Sequence, residues 1–193
     1  INNSTYPIAT VNDVDEDVAI SLDKFDTENT SVSDDTLYAI SIDKMGETTT
    51  KHTESIREAT GDKAVHDFAP ASNTALTPVI TTSGEEVNED GITRNRMVVG
   101  DVAHLKRRWD DANVPKQGRE LILSPAHIQD LITTHESFRD QYMNIRTGQP
   151  LRLYGFMIDE YTALPYYAPS GIKKAFGSLY NPGTDRIASV GFV

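Results

Sequence analysis

The stretch 100–132 carries the pattern that most limits the folds open to this chain. It predicts a helix that begins near Gly100, because apolar residues then recur at helical spacing as far as Pro115. The apolar run 121–123 is typical of a buried central strand. Ser124-Pro125 then supplies an N-cap and a first-turn proline for a second helix. The expected inward residues of the two helices are Val102, Leu105, Trp109, Ala112, Ile128, Leu131 and Ile132.

Two further elements are predicted before this stretch. Apolar and polar residues alternate from Val18 to Leu22 and again from Leu37, which predicts a long two-stranded hairpin over 17–44. The stretch 47–69 predicts a long helix that Pro70 ends. One of Thr48, Thr49 and Thr50 is expected to cap the helix, and Gly61 is a possible bend or break. The expected inward residues are Ile56, Ala59, Ala64 and Phe68.

The remaining segments are predicted to be connectors and strands. The polar connector 71–96 contains one strand candidate, Leu76–Thr82. Thr134 is expected to cap a short helix through Phe138 and Tyr142, and Thr147-Gly148 to turn the chain into a strand over Leu151–Tyr161. Loops and short β-like pieces follow. The sequence has no internal repeat, and this set of helices and strands predicts an α+β fold.

Composition excludes several classes of protein. The chain has 193 residues and no cysteine, so a disulfide scaffold, a thiolate zinc site, an iron–sulfur cluster and a cysteine nucleophile are all excluded. The net charge of −11 argues against tight binding to nucleic acid or to anionic lipid. No apolar run approaches the roughly 20 residues that a membrane-spanning helix needs.

Acidic groups offer the best candidates for a metal site. Asp13, Asp15 and Asp17 have the one–three–five spacing of a calcium loop, but Val18 and Lys24 stand where such a loop needs Gly and Glu. A solvated acidic turn is therefore favoured over calcium binding. The same interpretation is favoured for a second group, which consists of Glu85, Glu86, Glu89 and Asp90.

Histidines and basic residues do not form a recognisable catalytic pattern. The histidines, His52, His66, His104, His127 and His135, lack the spacing of a zinc helix, and His127 is expected to be a partly exposed surface group. The basic run Lys106-Arg107-Arg108 is followed by Asp110 and Asp111, which favours a solvated face with internal ion pairs over a nucleic-acid patch. We predict no catalytic, cofactor-binding or metal-binding residues.

An ordered series of motifs resembles the major capsid proteins of tailed bacteriophages of the Hong Kong 97 type. The series consists of the helix Asp101–Pro115 ending in Asn-Val-Pro, the strand led by Gly118-Arg119, the helix capped by Ser124-Pro125, a Thr-Gly turn, and the strand containing Gly155-Phe156. The resemblance implies that 1–46 holds an N-terminal segment and the extended hairpin called the E-loop. It further implies a spine helix and connector over 47–97, an axial-like domain over 98–170, and a return to the peripheral-like domain over 171–193.

The resemblance implies a structural role and no enzymatic activity. The expected function is self-assembly, through hexamers and pentamers, into an icosahedral shell that encloses double-stranded DNA without binding a specific sequence. The expected location is the virion, after synthesis in the bacterial host cytoplasm. Some members of the family crosslink a hairpin lysine to an asparagine of a neighbouring subunit. Lys24 is a candidate for this lysine by its position only, and we predict no crosslink.

Other interpretations of the sequence remain open. An encapsulin-type compartment shell has the same fold, and a calcium-dependent binding module or a hydrolase belongs to another class. The family has an N-terminal arm before the hairpin and further strands after the position of Val193, so we expect this chain to be a fragment that stays a monomer or small oligomer in isolation.

Overall fold

A computed structural model describes residues 23–31, 44–89, 91–143 and 151–193 of the protein. The helices of these residues are α1 (Lys44–Phe68), α2 (Val99–Asp111), α3 (Pro125–Thr134) and α4 (Glu136–Met143). The strands are β1 (Glu86–Glu89), β2 (Ile92–Asn95), β3 (Glu120–Leu123), β4 (Leu151–Leu153), β5 (Phe156–Glu160), β6 (Tyr166–Tyr167), β7 (Arg186–Ile187) and β8 (Val190–Phe192). The fold is mixed α and β, which confirms the α+β class in general terms.

The largest sheet among the described residues has four strands in the order β4-β5-β3-β8. Strand β3 runs parallel to β5 and antiparallel to β8. Leu121 and Leu123 are almost completely buried there, because the strand lies between β5 and β8 and these two side chains face the main core. The prediction of a buried strand over 121–123 is therefore confirmed.

The helices that flank β3 also follow their sequence pattern. Ser124 caps α3 by accepting a hydrogen bond from the backbone N–H of His127, and Pro125 occupies the first turn. The main core contains Val102, Trp109, Leu121, Leu123, Ile128, Leu131, Phe138 and Phe156. Thr134 does not cap α4: His135 does, since its Nδ1 lies 3.2 Å from the backbone nitrogen of Phe138.

Helix α1 ends before Pro70 as predicted, but its caps and its buried face differ from the prediction. The three threonines expected at its start lie inside the helix, and Thr48 donates its hydroxyl to the carbonyl of Lys44. Residues 53–60 are exposed, and so is Phe68. Val65 and Ala69 are buried instead, because only the C-terminal end of α1 packs on β8 and Leu164. The helix continues through Gly61 without a break.

A hydrogen bond between Tyr161 and Asp62 joins α1 to the end of β5. The hydroxyl of Tyr161 donates to Oδ1 of Asp62 over 2.6 Å, and this bond raises the pKa of Tyr161 to about 12. We expect Tyr161→Phe to lower the free energy of unfolding by about 1–2 kcal/mol, because Asp62 would lose its donor. Urea denaturation measures this loss, and Tyr154→Phe, at an exposed turn, is the control. Equal stability of the two variants would show that the bond contributes nothing.

Two strand predictions are wrong. The segment Leu151–Tyr161 is not one strand but the hairpin of β4 and β5, because Tyr154 and Gly155 both have positive φ angles, 50° and 91°, and form a tight turn. Residues 76–82 form no strand. The connector instead contains the hairpin of β1 and β2, which follows from an Asp-Gly pair at 90–91 in the sequence, with Gly91 at a φ of 79°.

The predicted hairpin over 17–44 falls mostly on residues outside the described ranges. So does the predicted turn at Thr147-Gly148. Within the described part, residues 23–31 have no regular secondary structure, and Lys44 belongs to α1 rather than to a strand. Two polar contacts connect this part to α1: Asp23 with Lys63 at 3.1 Å, and the hydroxyl of Thr30 with His52 at 3.2 Å.

Candidate functional site

Buried polar groups gather where the N-terminus of α3 meets β2, α2 and the segment leading into β8. Asp130 is the most buried charged residue among them, with 2% of its surface exposed. Its carboxylate accepts hydrogen bonds from both terminal nitrogens of Arg94 and from the backbone N–H of Met97 at 2.9 Å. The bond to Asp130 is the main reason that the pKa of Arg94 is raised. This pair fastens the β1–β2 hairpin to α3.

His127 is buried, so the expectation of a partly exposed surface group is wrong. Its Nδ1 lies 2.6 Å from the hydroxyl oxygen of Ser189, which also accepts the backbone N–H of Ser124 at 3.2 Å. Burial lowers the pKa of His127 to about 4. The imidazole is therefore neutral at pH 7, and its Nδ1 can accept the hydroxyl proton of Ser189.

A serine beside a histidine raises the question of nucleophilic catalysis. A general base works best when its pKa lies near the working pH. His127, with a pKa of about 4, is a weak base for a reaction at neutral pH. The bonds of Ser189 to two parts of α3 instead suit a structural joint between α3 and β8.

Asp101 forms a second joint at the start of α2. Its carboxylate accepts the backbone N–H of Val98 at 3.0 Å and thereby caps the helix. It also accepts the hydroxyl of Ser83 at 2.6 Å, which ties the connector to α2. An acidic side chain at this position is further stabilised by the helix dipole.

A groove of about 740 Å³ lies beside β8. Its apolar lining includes Leu76, Leu105, Trp109 and Val193, while His127 and Ser189 contribute polar atoms. Within the described ranges, β8 pairs only with β3, so its other edge borders the groove.

No family model, curated protein or solved structure matches this chain.

The predicted acidic groups do not converge on a metal site in the described residues. The aspartates at 13, 15 and 17 lie outside the described ranges, as does Asp90. Glu85 and Glu86 are exposed, and Glu89 forms ion pairs with Arg94 at 2.8 Å and Arg96 at 3.8 Å. Across the part of the chain that the structure describes, no three acidic or histidine side chains are placed to hold a metal ion.

The other histidines and Lys24 occupy separate places. His104 is exposed, and His66 places Nε2 at 2.9 Å from the carbonyl of Lys174. Lys24 is exposed and pairs with Asp26 at 2.7 Å. None of these contacts brings them together with His127.

The basic run on α2 forms the ion pairs that its sequence predicts. Lys106 pairs with Asp110 at 2.7 Å, and Arg107 with Asp111 at 3.6 Å. The neighbouring lysine is the main reason that the pKa of Asp110 is lowered. No helix in the described ranges is long and apolar enough to cross a membrane.

Sequence reasoning missed the residues that matter most at this site, Asp130 and Ser189. One signal was available for Asp130, since it lies among the inward residues Ile128 and Leu131 of an amphipathic helix. A charge at such a position needs a buried partner. No local signal pointed to Ser189.

Proposed function

We propose that this chain is a structural subunit of an icosahedral capsid of the tailed-bacteriophage type, which assembles with copies of itself around double-stranded DNA. The observation that carries the proposal is the packing of the resembling motifs against one another. The capsid-type division into hairpin, spine helix, axial-like and peripheral-like parts belongs to this proposal.

Arg119 is the centre of that packing. It is 3% exposed, and its guanidinium lies 5.6 Å from the ring centre of Trp109 and 6.0 Å from that of Phe156. It donates hydrogen bonds to the carbonyls of Val114 at 2.7 Å and Pro115 at 2.8 Å. The side chain of Arg119, from the Gly-Arg strand, thus contacts both the Asn-Val-Pro helix end and the Gly-Phe strand. This shared contact supports reading the series as one structural unit.

Exposed surfaces on α1 support a role in assembly. Residues 53–60 of this helix are exposed, and the exposed large apolar side chains of the chain include Met45, Ile56, Phe68, Leu76 and Leu179. Apolar side chains exposed in this way offer surface for contacts between proteins. A subunit that neighbours surround in a shell would cover it.

The charge distribution favours a shell that encloses DNA over a protein that binds DNA tightly. The net charge is −11, Lys106 and Arg107 of α2 pair with neighbouring carboxylates, and Arg108 donates to the carbonyl of Thr74. Phosphate binding needs free basic groups that release counterions. The proposed location is the virion, with synthesis in the bacterial host cytoplasm.

The proposal is tested by expressing the complete reading frame that contains this chain and examining the product by electron microscopy. Closed shells of uniform diameter are the expected result, and only soluble monomers or irregular aggregates would contradict it. Shells that enclose a protein cargo and come from a gene beside a cargo enzyme would instead identify the encapsulin type. Calcium calorimetry and a hydrolase screen on the same sample test the remaining alternatives.

Hydrogen exchange provides a second test on the isolated chain. Amides over 17–44 should exchange at least tenfold faster than those over 101–132. The reason is that a two-stranded ribbon keeps most backbone groups near water, and the contacts of 23–31 with α1 are exposed and weak. Equal protection of the two ranges in a proven monomer would remove the main support for an E-loop.

A further inference from the structure

Two tyrosine rings lie against each other beside the β6–β7 pair. Tyr166 belongs to β6, and Tyr180 lies in the segment between β6 and β7. Their ring centres are 4.9 Å apart, and the ring planes are tilted by 36°. Both residues are half-buried, so each is partly accessible to solvent. Small reagents in solution can therefore reach the pair.

The backbone on both sides of the pair is fixed by hydrogen bonds. The carbonyl of Tyr166 accepts the backbone N–H of Lys174 at 2.9 Å, and β6 is paired with β7. The backbone N–H of Asn181, next to Tyr180, donates to the buried carboxylate of Asp185 at 2.8 Å. The folded chain thus holds the two rings in contact.

The hydroxyls of the pair are less constrained than those of two neighbouring tyrosines. Tyr161 donates its hydroxyl to Asp62, and Tyr167 donates to a backbone carbonyl and is 5% exposed. Within the described residues, no hydrogen bond involves the hydroxyl of Tyr166 or that of Tyr180. These two rings can therefore make the small shift that a bond between them requires.

Few other side chains of this chain can form a link on oxidation. The chain has no cysteine, so no thiol competes. Its single tryptophan, Trp109, is 8% exposed and lies under the guanidinium of Arg119. The exposed Met45 and Met143 are oxidised to sulfoxides, which form no crosslink. Tyrosine is therefore the side chain through which oxidation can join two parts of this chain.

We propose that Tyr166 and Tyr180 are a site of oxidative crosslinking, at which a one-electron oxidant joins the two rings as dityrosine. The link closes the segment 167–179, which carries the exposed apolar side chains of Ile172, Phe176 and Leu179. The site is independent of the proposed shell function, because both rings belong to one chain.

The coupling reaction consumes two equivalents of the oxidant. Each ring gives one electron to the oxidant and the proton of its hydroxyl to water, which produces two phenoxyl radicals. The radicals form one carbon–carbon bond between Cε atoms, the positions next to the carbon that bears oxygen. Each bonded carbon then loses its hydrogen as a proton, and each oxygen takes up a proton, which restores both phenols. The product lacks two hydrogen atoms, and the oxidant has gained two electrons.

Mass spectrometry of the oxidised chain tests the proposal. The folded 193-residue chain is illuminated with tris(bipyridyl)ruthenium and persulfate, which together supply the one-electron oxidant. Trypsin cuts after Lys173 and Lys174 and so separates Tyr166 from Tyr180. The expected product is a pair of linked peptides, lighter than their sum by two hydrogen atoms, whose fragments place the link at these two rings. A link at Tyr167 instead, or links between copies as the main product, would overturn the proposal.

Two variants that keep the ring but lose the hydroxyl make the assignment specific. Tyr166→Phe and Tyr180→Phe should each lower the yield of this link by about tenfold or more, because phenylalanine has no phenolic hydrogen to lose. Tyr154→Phe is the matched control, since it removes a tyrosine that is 48% exposed and lies outside the pair, and it should give the yield of the parent. An unchanged yield in either of the first two variants would refute the assignment.

A measurement on the parent chain does not depend on any variant. Groups that are held in contact react at a high effective concentration, so the yield should stay constant when the protein is diluted about tenfold. Unfolding in urea separates the rings, and the links should then be distributed among the other tyrosines. A yield that falls with dilution, or the same distribution of links in the folded and unfolded chain, would contradict the proposal.

Discussion

Replacing Trp109 with alanine should lower the free energy of unfolding by about 3–5 kcal/mol. The indole is 8% exposed, lies edge-on to Phe156 with 5.2 Å between ring centres, and packs closely against Gly191. It also carries the guanidinium of Arg119 over its face. Its removal therefore leaves a cavity between α2, β5 and β8 and takes away the surface on which Arg119 rests. Urea denaturation followed by far-ultraviolet circular dichroism measures the loss.

Leu179→Ala is the control for this substitution. Leu179 is 91% exposed, so the change should alter stability by less than about 0.5 kcal/mol. A Trp109→Ala protein that melts within a degree or two of the parent would show that α2 does not pack on the sheet in the described register.

Replacing Asp130 with alanine should cost about 3 kcal/mol or more. The substitution removes the buried carboxylate that Arg94 contacts and leaves the backbone N–H of Met97 without its acceptor. Glu89, at 36% side-chain exposure, compensates only in part. Breaking a buried pair costs more than forming it contributes, because the remaining charge, here Arg94 with a side chain 21% exposed, is largely removed from water.

An exposed ion pair on α2 provides the comparison. Asp111→Ala removes the partner of Arg107 in a pair whose side chains are 63% and 78% exposed, and should cost less than about 1 kcal/mol. The double variant Asp130→Ala, Arg94→Met should recover part of the stability that Asp130→Ala loses. If Asp130→Ala costs no more than Asp111→Ala, the Arg94–Asp130 pair is not buried in solution.

The elements that could be predicted are those whose signals are local. Helix α2, strand β3 and helix α3 follow from apolar spacing, a Ser-Pro cap and a short apolar run, because residues close in sequence decide all three. The end of α1 follows in the same way from Pro70. The signal for the turn at Tyr154-Gly155 is also local. The strand pattern continues on both sides of it, however, and therefore predicted one strand instead of a turn with positive φ angles.

The features that could not be predicted depend on residues far apart in the chain. The buried face of α1 is set by Leu164 and β8, 99 and 125 residues after Val65, so Val65 and Ala69 are inward rather than Ile56 and Phe68. The burial of His127 likewise depends on Ser189, which is 62 residues away. The helical pattern alone gave no information about either partner.

Within the described residues, the buried contacts of α1 lie near its C-terminal end, so the helix has the geometry of a lever. Its fixed point lies near Asp62, Val65 and Ala69, while 44–60 extends by about 24 Å at 1.5 Å per residue. A rotation of about 10° at the fixed point would move Lys44 by roughly 4 Å, whereas Phe68 would hardly move. A small rotation at the Tyr161–Asp62 bond would therefore be amplified at the N-terminal end of this helix.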